Sequence, residues 1–143
     1  MLDMMTQLVY TIGKKHDSSI EMLGTGFLVG NGKYVVTARH VVGDANDGLV
    51  IILPSIRNFD EYQDTTINTC NFADVHIKHS DPFRDLVLLE FSSPVTNVPI
   101  PTPTLGSTDD IHVGEEIYIL GFPHCVEGRR VLTMQNAMIG SKI

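Results

Sequence analysis

His40 and Asp85 have the residue types and positions that acid–base chemistry requires. His40 directly follows a β-branched run that predicts a strand, so packing would hold its backbone in place. Asp85 directly precedes the apolar run Leu86 to Leu89, which puts its carboxylate at the edge of a core. An imidazole can take up and return a proton near neutral pH, and a carboxylate can fix its tautomer and stabilise the imidazolium. We therefore interpret His40 as a candidate general base and Asp85 as its orienting acid.

A base and an acid of this kind activate a nucleophile by removing its proton. The sequence shows no Ser or Cys in the kind of turn that such a nucleophile requires. A Ser or Cys would be expected in a glycine-rich turn near the C-terminus, where backbone N–H groups can also bind an oxyanion. No such turn occurs before Ile143. Simpler interpretations also stay open: His40 could cap the end of a strand, and Asp85 could be a solvated turn acid after Asp81 and Pro82.

The elements that would position these residues are strands. Helical periodicity is nearly absent, and short β-branched and apolar runs between turn signals predict an all-β barrel or sandwich. Gly30-Asn31-Gly32 predicts a tight hairpin, because Asn and Gly tolerate positive φ angles. The polar stretch Pro54 to Thr66 predicts a long surface loop. The predicted strands are Gln7 to Lys14, Met22 to Val29, Tyr34 to Thr37, Leu49 to Leu53, Cys70 to His79, Leu86 to Phe91, Glu116 to Leu120 and Arg130 to Met138.

A proline-rich stretch from Ser92 to Thr108 predicts a linker, because prolines remove donors from a sheet. We expect a first β-barrel over residues 1–95, and the linker with the start of an incomplete second barrel over residues 96–143. The two strands after the linker would by themselves form a marginal unit with exposed edges. The prolines of the linker are Pro94, Pro99, Pro101 and Pro103.

The composition narrows the classes of partner. With 43% hydrophobic and 19% charged residues, the chain of 143 residues is globular and can bury a core. The net charge is −7 and the ten Lys and Arg are scattered, so we expect no nucleic-acid partner. No apolar run approaches the roughly 18 residues of a membrane span, and Asp3 stands where a signal peptide would be basic, so we expect a cytoplasmic protein and no membrane partner. Only Cys70 and Cys125 are present, and we expect two reduced thiols.

Four segments of the chain carry a resemblance to a known family. They are Gly24-Thr25-Gly26-Phe27-Leu28-Val29, Val35-Val36-Thr37-Ala38-Arg39-His40-Val41-Val42, Asp85-Leu86-Val87-Leu88-Leu89, and Val113-Gly114-Glu115-Glu116-Ile117-Tyr118-Ile119-Leu120-Gly121-Phe122-Pro123. In order, spacing and flanking residues they resemble the trypsin-like serine proteases. Because Val41 and not a Cys follows His40, the closest resemblance is to the disulfide-free branch with the HtrA-type proteases. It spans about Gln7 to Ile139.

The resemblance implies two six-stranded β-barrels with the active site in the cleft between them. It implies that His40 is the general base and Asp85 its orienting acid. The family's nucleophile lies in a Gly-x-Ser-Gly-Gly turn some tens of residues beyond the Gly-Phe-Pro segment, and this chain contains none. The missing turn would also form the oxyanion hole, and losing one such donor typically costs about 10²–10³ in rate. We therefore expect the chain to be inactive alone.

Two other residues are weaker candidates for the nucleophile. Ser141 aligns better with a second-barrel strand than with a nucleophile turn, and Cys125 lacks the Gly-x-Cys-Gly-Gly motif of viral cysteine proteases of this fold.

His76 and His79 should point to opposite faces of a strand, so we expect no metal site there. His124 is adjacent to Cys125, and the chain offers no second pair of ligands at a suitable spacing. Gly24 and Gly26 lack a dinucleotide fingerprint and are better explained by close packing beside the cleft. No cofactor is predicted.

Two hypotheses follow. The first is a trypsin-like serine endopeptidase, acting on a polypeptide substrate and requiring the missing C-terminal barrel. The second is a protease-derived binding module without catalysis, which would pair with another chain through the open strands of its second barrel. The pocket that selects substrate side chains cannot be read from this sequence, because in this fold later second-barrel segments form it.

Overall fold

The computed structural model describes residues 2–44, 47–94 and 104–143. Within them a four-residue helix α1, Arg39–Val42, follows the third strand, and 3-10 turns cover Leu2–Gln7, Thr108–Asp110 and Cys125–Glu127. The remaining elements are strands. They are β1 Val9–Lys15, β2 Ile20–Val29, β3 Tyr34–Ala38, β4 Leu49–Ile52, β5 Phe72–Asp81, β6 Leu86–Phe91, β7 Glu116–Gly121 and β8 Thr133–Met138.

The first six strands form a closed barrel in the order β1-β2-β3-β6-β5-β4. All of its neighbouring strands are antiparallel, and the pairing of β1 with β4 closes it. The last two strands form a separate antiparallel sheet in which Glu116 pairs with Met138 and Gly121 with Thr133. The predicted all-β class and the first six-stranded barrel are thus confirmed.

Each predicted strand is found; β6 matches at both ends, and no strand end shifts by more than three residues. Gln7 belongs to the first 3-10 turn, and β8 begins at Thr133 instead of Arg130. The sequence does not predict α1, because one helical turn is too short to show helical periodicity. The expected domain boundary, and the linker prolines Pro99, Pro101 and Pro103, fall in residues 95–103 outside the described ranges, so this division remains a prediction.

The hairpin between β2 and β3 has the backbone that its sequence predicts. The φ angles are 63° at Gly30, 58° at Asn31 and 83° at Gly32. Val29 pairs with Tyr34 immediately beyond the loop. Glycine and asparagine adopt this left-handed region at lower cost than other residues, and they thereby set the register of the β2–β3 pair.

The barrel is filled by side chains from alternate positions of its strands. Gly26 faces this interior, because a Cβ atom there would lie 2.8 Å from side-chain carbons of both Ile12 and Val35. Full burial of one aliphatic side chain contributes about 1.5–3 kcal/mol, so this interior is the main source of stability. The buried cluster consists of Leu8, Tyr10, Ile12, Leu28, Val35, Val42, Leu49, Ile51, Val75, Val87 and Leu89.

A second apolar cluster joins the β7–β8 sheet to the outside of the barrel. Its buried members are Val9, Ile56, Phe122, Cys125 and Leu132. The Gln63 amide extends this junction by donating to the Leu132 carbonyl at 2.9 Å and accepting from the Leu132 N–H at 2.8 Å. The second sheet therefore has a defined seat on the first barrel.

Candidate active site

His40 projects from α1, which is oriented by the apolar residues beside it. Val42 is buried in the barrel cluster, and Val41 packs against the same cluster. Gly43 ends the helix with a φ of 61° and donates its N–H to the Arg39 carbonyl at 2.9 Å. With the valines turned inward, the His40 side chain is turned outward and is 75% exposed.

Gly24 provides the space for α1 on strand β2. A Cβ atom at this position would lie 2.9 Å from both methyl carbons of Val41. Real Cβ atoms essentially never approach other atoms this closely, so a larger residue would push the helix away. The prediction that Gly24 and Gly26 allow close packing is confirmed, and their position beside a cleft remains a prediction.

Asp85 lies at the end of a turn that is organised by another acid, Asp81. The Asp81 Oδ1 atom accepts from the N–H groups of Phe83 at 3.1 Å and Arg84 at 3.2 Å. The chain then reaches Asp85 with a φ of 54°, in the left-handed region where Asp is tolerated better than most residues. The Asp85 carbonyl accepts the Arg39 N–H at 3.0 Å, which ties this turn to α1. Asp81 is thus the acid that accepts the N–H groups of this turn, and Asp85 faces His40.

The Asp85 carboxylate contacts His40 through both oxygens. Oδ1 accepts the backbone N–H of His40 at 2.9 Å, and Oδ2 lies 2.5 Å from the Nδ1 atom of the imidazole. The hydrogen bond to the His40 ring and then the one to its backbone lower the pKa of Asp85, and the charges of His40 and Arg39 act in the same direction. An ionised carboxylate requires Nδ1 to be the donor, which leaves the lone pair of the neutral ring on Nε2. This arrangement can accept a proton from a nucleophile that approaches Nε2.

Arg39 is a further residue of the site, and its sequence pattern alone does not mark it as one. Its Nε donates to Ser80 Oγ at 3.2 Å, and its Nη2 donates to Asp44 Oδ1 at 3.1 Å. These bonds link α1 to strand β5 and to the residues after α1. No sequence signal pairs Arg39 with Ser80, because their contact depends on the spatial order β3-β6-β5.

The two histidines weighed as metal ligands are on the outer surface of β5. The prediction that His76 and His79 point to opposite faces is wrong, because a bulge after Ile77 shifts the register and pairs His79 with Leu88. His76 Nε2 lies 3.1 Å from Glu90 Oε1, and His79 is exposed. In residues 2–44, 47–94 and 104–143, no group of three His, Cys, Asp or Glu residues could hold a metal ion.

The remaining candidate nucleophiles have unsuitable surroundings. Cys125 is 2% exposed within the second apolar cluster, and burial raises the pKa of its thiol, which disfavours the thiolate. Cys70 is partly exposed, and both cysteines are free. Ser141 is exposed beyond the end of β8.

Among the helices of the described ranges, none is long and apolar enough to cross a membrane.

The chain is similar to curated proteins that are named as proteases. It is 30% identical over 103 residues to the "Probable periplasmic serine endoprotease DegP-like" of Pseudomonas fulva (strain 12-X), covering 72% of this chain and 18% of that protein. It is 32% identical over 124 residues to the "Magnetosome formation protease MamE" of Paramagnetospirillum magneticum (strain ATCC 700264 / AMB-1), covering 87% of this chain and 14% of that protein. The chain therefore spans less than a fifth of the length of these relatives. The name of the first places that protein in the periplasm, and the cytoplasmic location expected here remains a prediction.

Solved structures show the same fold. The "HtrA-type protease AlgW with decapeptide" superposes with a TM-score of 0.69 at 18% identity, covering 95% of this chain and 43% of that one. A variant of AlgW with tripeptide superposes with a TM-score of 0.65 at 20% identity, covering 95% and 37% of the two chains. The family model described as "Trypsin-like peptidase domain" matches residues 24–142. That range holds α1, Asp85 and the second sheet, and the chain accordingly belongs to the trypsin-like peptidase domain family, with its resemblance to the HtrA-type branch confirmed.

Proposed function

We propose that the chain supplies the general base and the orienting acid of a serine endopeptidase, His40 and Asp85. The observation that carries this proposal is the contact of both Asp85 carboxylate oxygens with His40. In a Ser-His-Asp site, the base accepts the proton of the attacking hydroxyl and later returns it to the leaving amine. His40 is suited to both steps, because Asp85 holds Nδ1 and the exposed ring presents Nε2.

The nucleophile and the oxyanion donors would come from polypeptide outside these 143 residues. The chain contains no Gly-x-Ser-Gly-Gly turn, and the β7–β8 sheet presents apolar surface on which such polypeptide could pack. Tyr118 and Ile119 are neighbours on β7, so they point to opposite faces of the sheet, and each is 51% exposed. The half-exposed side chains of Tyr118 and Ile119 leave apolar area that packing of further polypeptide would bury. By itself the chain should then be inactive.

The substrate class proposed is polypeptide. The titles of the AlgW structures give a decapeptide and a tripeptide with those proteins, and the DegP-like relatives are named endoproteases. A trypsin-like endopeptidase has its active site in the cleft between two barrels, and here His40 and Asp85 both lie on the first barrel. No cofactor is required for this reaction.

The first experiment is to sequence the coding DNA beyond the codon for Ile143 and to compare the intact mass of the natural protein. An in-frame Gly-x-Ser-Gly-Gly and a matching mass above 15.8 kDa would support the proposal. The protein at natural length should then hydrolyse unfolded casein, and His40→Ala should abolish the hydrolysis. A natural mass near 15.8 kDa without peptidase activity would contradict it and leave the binding module as the better hypothesis.

A further inference from the structure

Thr25 joins the first barrel to the second sheet by a hydrogen bond. Its Oγ1 accepts the backbone N–H of Phe122, the residue that follows β7, at 3.0 Å. The backbone before it is equally close, because a Cβ atom on Gly121 would lie 3.2 Å from Thr25 Oγ1 and 3.6 Å from Thr25 Cγ2. The hydroxyl and methyl groups of Thr25 therefore form the seat on which the end of β7 rests.

The same segment of β2 contacts the chain on both sides of His40. The Thr25 carbonyl accepts the Thr37 hydroxyl at 2.7 Å, and Thr37 is 3% exposed at the end of β3. Gly24, directly before Thr25, is pressed against Val41, directly after His40. Gly24 and Thr25 thus touch β3 before the base, α1 after it, and the second sheet through Phe122.

We infer that Thr25 is a positioning residue that fixes the second sheet relative to His40. The inference rests on the proposed function, in which the nucleophile and oxyanion donors belong to the second barrel. The proton moves between His40 Nε2 and that nucleophile, so their separation depends on how the two barrels are joined. A misplacement of about 1 Å can lower the rate of such a step about 10²-fold.

Thr11 offers a matched control for Thr25. It lies directly opposite Thr25 in the β1–β2 register, so both side chains are on the same face of the sheet. Thr11 is 0% exposed, and in the described part of the chain its hydroxyl has no hydrogen-bond partner. Replacing either residue by Val exchanges a hydroxyl for a methyl group. Only the Thr25 change removes a bond to the second sheet.

The experiment measures two properties in Thr25→Val, Thr25→Ser and Thr11→Val. The first is the hydrogen-exchange rate of the Phe122 amide in this chain, followed by NMR. The second is peptide hydrolysis by the protein at its natural length. Thr25→Val should speed exchange at Phe122 at least tenfold and lower kcat about 10- to 100-fold, with little change in KM. Thr25→Ser keeps the acceptor oxygen, so its Phe122 exchange rate and its kcat should be close to those of the wild type. Thr11→Val should also match the wild type in the exchange rate and in kcat.

Two results would overturn the inference. Unchanged exchange at Phe122 in Thr25→Val would show that the hydrogen bond does not hold the second sheet. Faster exchange with an unchanged kcat would show that the bond is structural only. Failure of the proposed function is a separate result, because then the wild type itself hydrolyses no peptide, while exchange at Phe122 still reports whether Thr25 holds the sheet.

Discussion

Asp85 holds His40 at two points, with Oδ1 on the backbone N–H at 2.9 Å and Oδ2 2.5 Å from Nδ1 of the ring. The first contact fixes the start of α1, and the second fixes the orientation and tautomer of the imidazole. The acid itself has a left-handed backbone, with a φ of 54°. Backbone strain of this kind persists where surrounding contacts impose it, and it is common at functional sites. The His40 imidazole and the Asp85 carboxylate are therefore preorganised within the first barrel.

Replacing Asp85 by Asn should remove activity without unfolding the protein. Asn tolerates the left-handed backbone, but its amide group can donate to Nδ1 and so stabilise the wrong tautomer of His40. For the protein at natural length we expect kcat to fall about 10⁴-fold. The control is Asp81→Asn, which changes a nearby turn carboxylate that does not contact His40. Equal losses in the two variants would contradict the role given to Asp85.

The stability that Asp85 contributes should depend on pH in a defined direction. Because its pKa is lowered in the folded state, its contribution is complete above the unfolded value of about 3.9 and is lost as the pH falls through the lower folded value. The difference in unfolding free energy between the wild type and Asp85→Asn should thus be largest near pH 6 and smaller near pH 3. Asp64 and Asp81 also have lowered pKa values, but their contributions cancel in this difference. Urea unfolding at both pH values measures it, and a constant difference would argue against the contact.

Gly24→Ala should displace α1 and destabilise the fold. The new methyl group would press on both methyl carbons of Val41, and overpacking of this kind costs about 1–3 kcal/mol. Val41→Ala removes those carbons, so the double variant should be more stable than the sum of the two single changes predicts. Gly140→Ala is the control, because a Cβ there meets nothing within 4 Å. Additive effects of Gly24→Ala and Val41→Ala would show that the two residues do not touch.

The two hydrogen bonds between the Gln63 amide and the Leu132 backbone should stabilise the attachment of the second sheet to the barrel. Gln63→Ala removes two hydrogen bonds to the Leu132 backbone, each with a net contribution of about 0.5–1.5 kcal/mol. We expect a loss of about 1–3 kcal/mol in chemical unfolding, and faster amide exchange at Leu132. Gln135→Ala, on the exposed part of β8, should change neither. An unaffected Leu132 amide in Gln63→Ala would contradict this role of the two hydrogen bonds.

The two thiols should react at clearly different rates. Cys125 is buried, and burial raises the pKa of its thiol, whereas Cys70 is partly exposed. Labelling with a disulfide reagent at pH 8 should show one fast and one slow phase. Cys70→Ser should remove the fast phase. Loss of the fast phase in Cys125→Ser instead would mean that the second apolar cluster is open.

The strands and the choice of His40 and Asp85 as partners could be predicted because they depend on local patterns. Alternating apolar residues and the Gly30-Asn31-Gly32 turn are visible over a few residues, as are the segments that resemble the family. The contacts of Arg39 and Thr25 could not be predicted, because each joins residues far apart in the chain. Arg39 contacts Ser80 because the barrel places β3, β6 and β5 side by side in that order. Thr25 contacts Phe122 because the second sheet packs against the first barrel. The bulge after Ile77 reversed the prediction for His79, since a one-residue shift changes the face of every later side chain.

The central claim is that His40, held by Asp85, is the general base for a serine nucleophile outside these 143 residues. The most direct measurement treats the protein at natural length with a fluorophosphonate, which reacts with activated serines, and locates the adduct by mass spectrometry. We predict one labelled Ser beyond Ile143 in the wild type and no labelling in His40→Ala. An absence of labelling in the folded wild type, or equal labelling in His40→Ala, would contradict the account.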